Sequence, residues 1–323
     1  MLLTFPAVGP VARATGAALA FVTRAEWAPL ARRHPAIDTV WEAPRRGESA
    51  DGAVAELLRR LNDDVRPEIV LDWHGVPLAR HLAASLRAYE KVRYEKYGVR
   101  RGLLAATGLD WLPRPTRRVP ELYAASAAKW GVKGPDWSFR LPEDEAASAR
   151  LRERFGLTPG RLALAPGARH EAKTWPREHW LELARTLTAE GYKLLLLGDA
   201  SERPLCEAVA AESADAVNLA GRVAVEELPE TLRGAALLVS NDSAWNHVAP
   251  LVDVPCLALF GPTSPRFGFA PWGSGDRVVY LGLPCSPCSK HGRRPCWRTR
   301  RHCLADVEPG HVCGQAREML GEA

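Results

Sequence analysis

Three polar loops in the second half of the chain carry residue types that bind phosphate groups and sugar hydroxyls. The first loop, PGARHEAKTWP at 166–176, leads from a Pro-Gly turn through Lys173 to the start of a helix. Backbone N–H groups at a helix start hold phosphate oxygens, and a lysine can add a point charge to a diphosphate. A solvated surface lysine is the simpler alternative, and this loop alone does not separate the two hypotheses.

The other two loops are NDSAWNH at 241–247 and LFGPTSP at 259–265. In the first of them, Asp242 and Ser243 could bind sugar hydroxyls, or either could cap the helix that follows. His247 is either part of the same site or a half-buried histidine with ordinary partners. In the second, the Gly, Thr and Ser could line a phosphate pocket, or the segment is an ordinary Gly-Pro turn.

The elements around these loops predict a doubly wound, parallel α/β sheet. Short apolar strands alternate with amphipathic helices through the second half of the chain, which is typical of βαβ units. Such sheets bind ligands at the carboxyl ends of their strands, where all three loops lie. The predicted strands are 161–167, 194–197, 216–219, 236–240 and 256–260. Two predicted helices begin at Trp175-Pro176 and at Ser201, and two more cover 226–233, with a bend at Pro229, and 243–251.

The first half of the chain shows a fainter version of the same pattern. Two domains are therefore predicted, 1–145 and 146–323, with a ligand held across the cleft between them. The chain opens on a helix-like segment, LLTFPAVGPVARA, although a doubly wound domain usually starts with a strand. The predicted strands are 18–22, 38–41 and 68–72, and the predicted helices are 25–33, 53–61, 77–88 and 142–156.

Basic residues and cysteines are concentrated in one segment near the carboxyl terminus. The chain has a net charge of +5, and 285–305 contributes more than all of it, because six of its residues are Lys or Arg and none is acidic. Such a segment could bind phosphates, nucleic acid or an anionic membrane, or simply be solvated. The spacing of its cysteines allows either a structural zinc site or reduced thiols without a ligand. These cysteines are Cys285, Cys288, Cys296 and Cys303.

Length and composition exclude several classes of protein. The chain has 323 residues, 46% hydrophobic and 25% charged, as expected for a globular protein of about two domains. No apolar stretch reaches the length of about 18 residues that a membrane-spanning helix needs. The apolar start has no charged n-region and is interrupted by Pro6, Gly9 and Pro10, unlike a signal peptide. We therefore expect a cytoplasmic protein.

Taken together, these segments resemble glycosyltransferase family 9, the bacterial lipopolysaccharide heptosyltransferases. The resemblance rests on PGARHEAKTWP, LLLLGD, NLAG, NDSAWNHVAP and LALFGPTSP, in this order and spacing, over 160–265. It continues through CSPC and a later Cys-Leu, and is weaker in the LLTFPAV, VLDWHG and VPELYAASAAKWGV segments of the first half. It implies a GT-B architecture, in which two Rossmann-like domains face a cleft.

The resemblance also implies a reaction, together with its sugar donor and its acceptor. Family members transfer heptose from an ADP-activated donor to the lipopolysaccharide core on lipid A, with inversion at the anomeric carbon and without a divalent metal or other required cofactor. The C-terminal domain would hold the nucleotide sugar, and the N-terminal domain would face the acceptor. Because that acceptor is lipid-linked, the protein could lie on the cytoplasmic face of the inner membrane. No nucleic-acid partner is expected.

By motif match, the resemblance assigns residues to the donor and acceptor sites. The donor-binding residues would be Ala168, Arg169, Lys173, Asn218, Asp242, Ser243 and His247. The acceptor-side residues would be Asp72, His74 and Arg80, which follow the third predicted strand of the first half.

Two departures from the family pattern leave alternatives open. The family's proposed catalytic base is the Asp of a Gly-Asp pair just before the segment matching LLTFPAV, and that position would precede Met1 here. Either the true start lies upstream of Met1, which we favour because the rest of the chain matches the family, or the protein is truncated and impaired. Ala244-Trp245-Asn246 stands where many members have Gly and smaller residues, so Trp245 could reshape the donor pocket. The alternatives are a catalytically impaired homologue that still binds the donor, and a non-catalytic protein that binds nucleic acid or lipid through the basic loop 285–303.

Overall fold

The computed structural model describes residues 1–45, 51–112 and 116–321, and its contacts divide the chain into two compact units. The first unit contains Met1–Lys96 and Arg117–Pro142. The second contains Tyr97–Thr116 and Glu143–Ala323. A segment from the first half of the sequence, Tyr97–Thr116, is therefore packed with the second half. The domain division at 145/146 remains a prediction.

Thirteen helices and ten strands are formed within the described residues. The helices are α1 (Phe5–Thr15), α2 (Ala28–Ala31), α3 (Asp51–Arg60), α4 (Pro77–Ser85), α5 (Gly98–Thr107), α6 (Val119–Ser126), α7 (Glu145–Phe155), α8 (Arg177–Ala189), α9 (Arg203–Ala210), α10 (Leu228–Leu232), α11 (Trp245–Val248), α12 (His302–Ala305) and α13 (Pro309–Leu320). The strands are β1 (Ala20–Arg24), β2 (Thr39–Ala43), β3 (Ile69–Asp72), β4 (Glu90–Arg93), β5 (Leu162–Ala165), β6 (Leu194–Leu196), β7 (Val217–Asn218), β8 (Leu237–Asn241), β9 (Cys256–Phe260) and β10 (Arg277–Tyr280).

The second unit is built on one six-stranded parallel sheet. Its strand order is β10-β9-β8-β5-β6-β7, and every neighbouring pair is parallel. All residues of β5, β8 and β9 are buried, because helices cover both faces of a doubly wound sheet. The chain order reverses direction beside β5, so the sheet has a switch point where the turns after β5 and β8 are adjacent. The parallel doubly wound sheet predicted for this half is confirmed.

A single apolar core supports this sheet. Trp175 and Trp180 are fully buried, with ring centroids 5.1 Å apart and planes nearly perpendicular. The indole N–H of Trp175 donates to the carbonyl of Val307, 2.9 Å away, so this large ring is buried without an unpaired polar atom. Cys206 belongs to the same core and is fully buried, as expected from its apolar neighbours in the sequence.

The first unit holds two short parallel strand pairs rather than one larger hydrogen-bonded sheet within its described residues. Strand β1 pairs with β2, and β3 pairs with β4. Side chains from α3 and α4 pack on these strands around Leu57, Leu61 and Leu82. The chain start forms a 3₁₀ turn and α1, as the helix-like segment predicted, and Phe5 of α1 packs edge-on against the buried His34.

Two predicted helices differ from the structure at prolines. The helix expected over 226–233 is not bent at Pro229, because a 3₁₀ turn covers Val225–Glu227 and Pro229 occupies the first turn of α10. The helix expected over 243–251 is only α11 followed by a 3₁₀ turn, Ala249–Val252. A proline has no N–H for the α-helical hydrogen bond, so Pro250 cannot continue α11.

Candidate functional site

The carboxyl ends of β5, β8 and β9 bring the three polar loops to one edge of the second sheet. Strand β8 pairs with β5 on one side and with β9 on the other, so the turns that follow these strands are neighbours. The turn after β5 is the Lys173 loop (166–176). Because parallel strands present their carboxyl ends on the same side, the loops predicted separately form one continuous surface.

Asn241, the last residue of β8, ties this surface together. Its side chain is fully buried and donates to the carbonyls of Pro166 and Gly167, at 2.8 and 3.1 Å. The side-chain oxygen Oδ1 of the same amide accepts from the backbone N–H of Trp175 at 3.0 Å. One amide therefore holds both ends of the Lys173 loop. Asn241 was not among the site residues predicted from the sequence, although an asparagine at the end of an apolar strand was a visible signal.

Lys173 and Asp242 form an ion pair at the centre of this surface. The Lys173 Nζ lies 2.6 Å from Asp242 Oδ2 and 3.3 Å from the Asp242 carbonyl oxygen. Thr263, from the turn after β9, donates to the same carboxylate oxygen at 2.7 Å. The two charged side chains are only 16% and 11% exposed, so the pair is shielded from bulk water without being closed off from it. Residues from all three loops thus meet at one carboxylate.

Ser243 and Asn246 stabilise the turn between β8 and α11. The Ser243 hydroxyl lies 2.9 Å from that of Ser240 and accepts from the backbone N–H of Trp245 at 3.4 Å. Asn246 is fully buried and donates to the Asn241 carbonyl at 3.0 Å. Trp245 is itself only 8% exposed. The Trp245 and Asn246 side chains, which depart from the family pattern, are therefore packed within the second unit.

His247 is an uncharged ring at this edge. Desolvation lowers its pKa to about 4, against the opposing influence of the Asp242 carboxylate. Its imidazole is stacked on the Trp272 indole, with planes 14° apart and centroids at 6.1 Å. In the part of the chain that the structure describes, His247 Nδ1 has no hydrogen-bond partner. The ring therefore offers a hydrogen bond without a second positive charge.

Glu202 lies directly against the start of the Lys173 loop. A Cβ on Gly167 would come within 2.3 Å of the Glu202 Cδ, so a side chain at this position would displace the carboxylate. Burial raises the pKa of Glu202, which accepts from the backbone N–H of Asp199 at 2.8 Å. A carboxylate at the carboxyl edge of such a sheet is the group that binds ribose hydroxyls. Glu202 was not among the site residues predicted from the sequence.

The remaining donor-side residues lie further from the ion pair. Ala168 and Arg169 precede a 3₁₀ turn within the Lys173 loop, and Arg169 is exposed. Asn218 ends β7, and its side chain accepts from the Ala220 N–H at 2.9 Å. Within the described residues, no hydrogen bond or ion pair joins Arg169 or Asn218 to Lys173 or Asp242.

The acceptor-side residues lie in the first unit, at the turn after β3. Asp72 is buried, and its carboxylate accepts from the backbone N–H groups of His74 and Gly75 at 3.0 and 2.7 Å. His74 is exposed in the same turn, and Arg80 is exposed on α4. The hydrogen bonds of Asp72 give it a role in shaping the turn. An acceptor role for all three residues remains a prediction.

The basic Cys loop (285–303) is attached to the turn after β9. The backbone N–H groups of Cys288 and Ser289 donate to the Pro262 carbonyl at 3.1 and 3.0 Å. All four cysteines of the loop are free thiols. Burial, with the neighbouring cysteines, raises the pKa of Cys288 and raises that of Cys303 to about 11. Among described residues, no three His, Cys, Asp or Glu are placed to hold a metal ion, so zinc remains a prediction.

Comparison with known proteins identifies relatives of one kind. The model of glycosyltransferase family 9 (heptosyltransferase) matches residues 113–296. Lipopolysaccharide heptosyltransferase 1 of Pseudomonas aeruginosa is 28% identical over 352 aligned positions, which cover 98% of this chain and 94% of that protein. Lipopolysaccharide heptosyltransferase 2 of Salmonella typhimurium is 34% identical over 191 positions, covering 57% of this chain and 54% of that protein.

Solved structures share the fold over the whole chain. The structure of E. coli ADP-heptose lps heptosyltransferase II aligns with a TM-score of 0.73 and 22% identity, covering 100% of this chain and 95% of that one. A glycosyl transferase family 9 protein from Veillonella parvula aligns with a TM-score of 0.79 and 19% identity, covering 100% and 94%. The α/β fold class of GT-B type expected from the sequence is confirmed. No helix in the described part of the chain is long and apolar enough to cross a membrane.

Proposed function

The chain belongs to glycosyltransferase family 9, the heptosyltransferase family. We therefore propose that it transfers heptose from ADP-heptose to a lipopolysaccharide core acceptor, with inversion of configuration at the anomeric carbon. It is a glycosyltransferase, and two of its relatives are named as lipopolysaccharide heptosyltransferases. The observation that carries the proposal is the meeting of Lys173, Asp242 and Thr263 at adjacent strand ends. The alternative of a protein that only binds nucleic acid explains none of these contacts.

In this proposal Lys173 binds the diphosphate of the donor. Negative charge builds up on the diphosphate as the bond to the sugar breaks, and a cation held in place stabilises that charge. Lys173 is held by Asp242, so an incoming diphosphate competes with a carboxylate for the same ammonium group. Backbone N–H groups of the Lys173 loop, with Ala168 and Arg169, are the further donors in this site.

Asp242, Ser243 and His247 are assigned to the donor sugar and its link to the diphosphate. Once Lys173 turns to the diphosphate, the Asp242 carboxylate can accept hydrogen bonds from sugar hydroxyls. His247 is uncharged at neutral pH, so it can hydrogen-bond the donor without holding the product diphosphate too tightly. Glu202 and Asn218 lie toward the other side of the sheet, where we assign them to the nucleoside.

The acceptor and the cellular setting complete the proposal. We assign the acceptor to the N-terminal domain, near Asp72, His74 and Arg80. A lipid-linked acceptor requires the enzyme to work at the cytoplasmic face of the inner membrane. The basic Cys loop offers a surface for that contact, since Trp297 is 73% exposed and the Arg298 guanidinium lies 4.8 Å from its ring centroid. An indole beside a cation is a common arrangement at a lipid headgroup surface.

The test is calorimetric titration of the protein with ADP-heptose, with UDP-glucose as the comparison ligand. We expect ADP-heptose to bind, and Lys173→Ala to weaken binding by roughly tenfold or more, the usual cost of losing a charged hydrogen bond. Lys193→Ala is the matched control, because Lys193 is exposed just before β6, at the opposite end of the sheet. Binding of UDP-glucose in preference to ADP-heptose would overturn the donor assignment.

A transfer assay with a lipopolysaccharide core acceptor separates the active enzyme from an impaired homologue. Heptose transfer is expected to continue in EDTA, because the site residues supply the charge that a divalent metal would otherwise bring. Binding of ADP-heptose without transfer to any core acceptor would instead identify a homologue that only binds the donor.

A further inference from the structure

The basic Cys loop reaches beyond the turn after β9 and covers part of the Lys173 loop. The Ser286 hydroxyl donates to the Gly261 carbonyl, which adds to the two backbone hydrogen bonds on Pro262. At the other end of the loop, the Arg301 guanidinium donates to the carbonyl of Glu171. The loop is thus fastened to two of the three turns that form the candidate donor site.

Gly292 is the point where this loop touches Lys173. It is buried and has a φ of +74°, a backbone conformation that residues with a Cβ rarely adopt. A Cβ at this position would lie 2.6 Å from Lys173 Cγ and 2.8 Å from Cε. The missing side chain therefore leaves the space through which the Lys173 alkyl chain runs towards Asp242.

Arg293 follows Gly292 and is exposed. Three other cations of the loop are engaged, since Lys290 donates to Gly98, Arg300 pairs with Asp306, and Arg301 donates to Glu171. Arg293 makes no hydrogen bond or ion pair with any described residue. The charge of Arg293 also reaches His170 in the Lys173 loop. Burial lowers the pKa of His170, and the nearby charges of Arg293 and Lys173 lower it further.

A diphosphate bound at this site needs a second cation to balance its negative charge. The Lys173–Asp242 pair is neutral overall, whereas the diphosphate of a nucleotide sugar carries at least two negative charges. A single ammonium already shared with a carboxylate leaves most of that charge unbalanced, and an unbalanced charge in a partly buried site is costly. A guanidinium binds phosphate with two parallel hydrogen bonds and suits this task.

We propose that the basic Cys loop completes the diphosphate site, with Gly292 as a positioning residue that seats Lys173 and Arg293 as a direct ligand of the diphosphate. This inference rests on the proposed donor function of Lys173. It gives the basic segment a function within the donor site, separate from its membrane-facing Trp297 and Arg298.

The Arg293 part is tested by titrating ADP and adenosine into Arg293→Gln and into Arg298→Gln. Arg298 is the matched control, because it is an exposed arginine of the same loop. We expect Arg293→Gln to weaken ADP binding roughly tenfold, as for a lost charged hydrogen bond, and to leave adenosine binding unchanged. Arg298→Gln is expected to leave both unchanged. Equal ADP affinities for the two variants would overturn the assignment of Arg293.

The Gly292 part is tested by a double-mutant cycle with Lys173. Gly292→Ala is expected to weaken ADP binding in the wild-type background and to have no further effect when Lys173 is already alanine. Gly282→Ala is the control for backbone strain, because Gly282 has a φ of +60° but only the Tyr280 ring near its Cβ position. Additive effects, or an equal loss of ADP affinity in Gly282→Ala, would overturn the positioning role.

The outcomes also separate this inference from the proposed function. If the wild-type protein fails to bind ADP or any ADP-sugar, the donor function itself is wrong. If the wild-type protein and the Arg298 control bind ADP and the Gly292 and Arg293 variants bind it equally well, only the role of the basic Cys loop is wrong.

Discussion

Lys173 and Asp242 are the two charged side chains at the centre of the candidate site. The pair is mostly shielded from solvent, and Thr263 fixes the carboxylate from a third strand end. A partly buried charge left alone is costly, so each of the two balances the charge of the other. In our proposal these contacts hold both side chains in place for the donor.

His247 leads to a prediction about pH. Its pKa is about 4 in the folded protein and near 6.5 when unfolded, so between these values the unfolded chain binds more protons. The free energy of unfolding therefore falls as the pH falls through this window. We expect His247→Gln to reduce that loss, measured by urea unfolding between pH 7 and pH 4, whereas His311→Gln, which replaces an exposed histidine, should not. An unchanged pH dependence in His247→Gln would contradict a half-buried, uncharged His247.

At the scale of elements, the site depends on how firmly the end of β8 holds the Lys173 loop. The Asn241 amide makes three hydrogen bonds to backbone groups of that loop, all buried. A buried backbone group that loses its partner costs free energy, because water cannot replace the partner. The geometry of the candidate site and the stability of the sheet edge are thus linked through one residue.

Replacing Asn241 by alanine should destabilise the protein by about 2–4 kcal/mol, because several buried backbone groups lose partners together. Asn62→Ala is the control, since Asn62 accepts only one backbone hydrogen bond, from Arg87 at 2.6 Å. Its cost should be about 1 kcal/mol or less. Urea unfolding followed by tryptophan fluorescence measures both. Equal shifts of the two midpoints would show that Asn241 does not hold the loop.

The buried strands could be predicted well from the sequence, whereas the edge strand β10 and the helix α13 could not. Strands β5, β6, β8 and β9 were predicted within about two residues, because continuous apolar runs bounded by Gly and Pro leave few alternatives. Strand β10 was missed, although three of its four residues, Val278, Val279 and Tyr280, are types that favour strands. The helix α13 was missed as well, although it buries Val312, Cys313 and Ala316 on one face.

The sequence likewise predicted only part of the candidate site. Lys173 and Asp242 stand in loops with recognisable residue types, so the sequence selected them. Gly292 and Glu202 act through packing against residues far away in the chain, and no local pattern reports such contacts. A glycine in a basic loop, for example, looks like an ordinary turn residue until its neighbour is known to be Lys173.

At the scale of the whole molecule, the net positive charge comes from one segment of the chain. The segment 285–305 carries +6 in a chain whose net charge is +5, so the other residues together are slightly negative. In our proposal this basic region favours approach of the protein to an anionic surface. Part of this region is used within the donor site in our proposal, and its exposed part, around Trp297 and Arg298, remains available for a membrane.

This distribution predicts binding to anionic vesicles through the exposed part of the basic Cys loop. Arg298→Gln should weaken binding to mixed phosphatidylcholine–phosphatidylglycerol vesicles roughly fivefold, since a cation near such a surface contributes about 1 kcal/mol. Trp297→Ser should weaken it as well, whereas Trp111→Ser, which removes an indole 65% exposed elsewhere on the second unit, should not. Cosedimentation measures all three against pure phosphatidylcholine vesicles. Equal binding by every variant would show that the protein reaches its lipid-linked acceptor without using this loop.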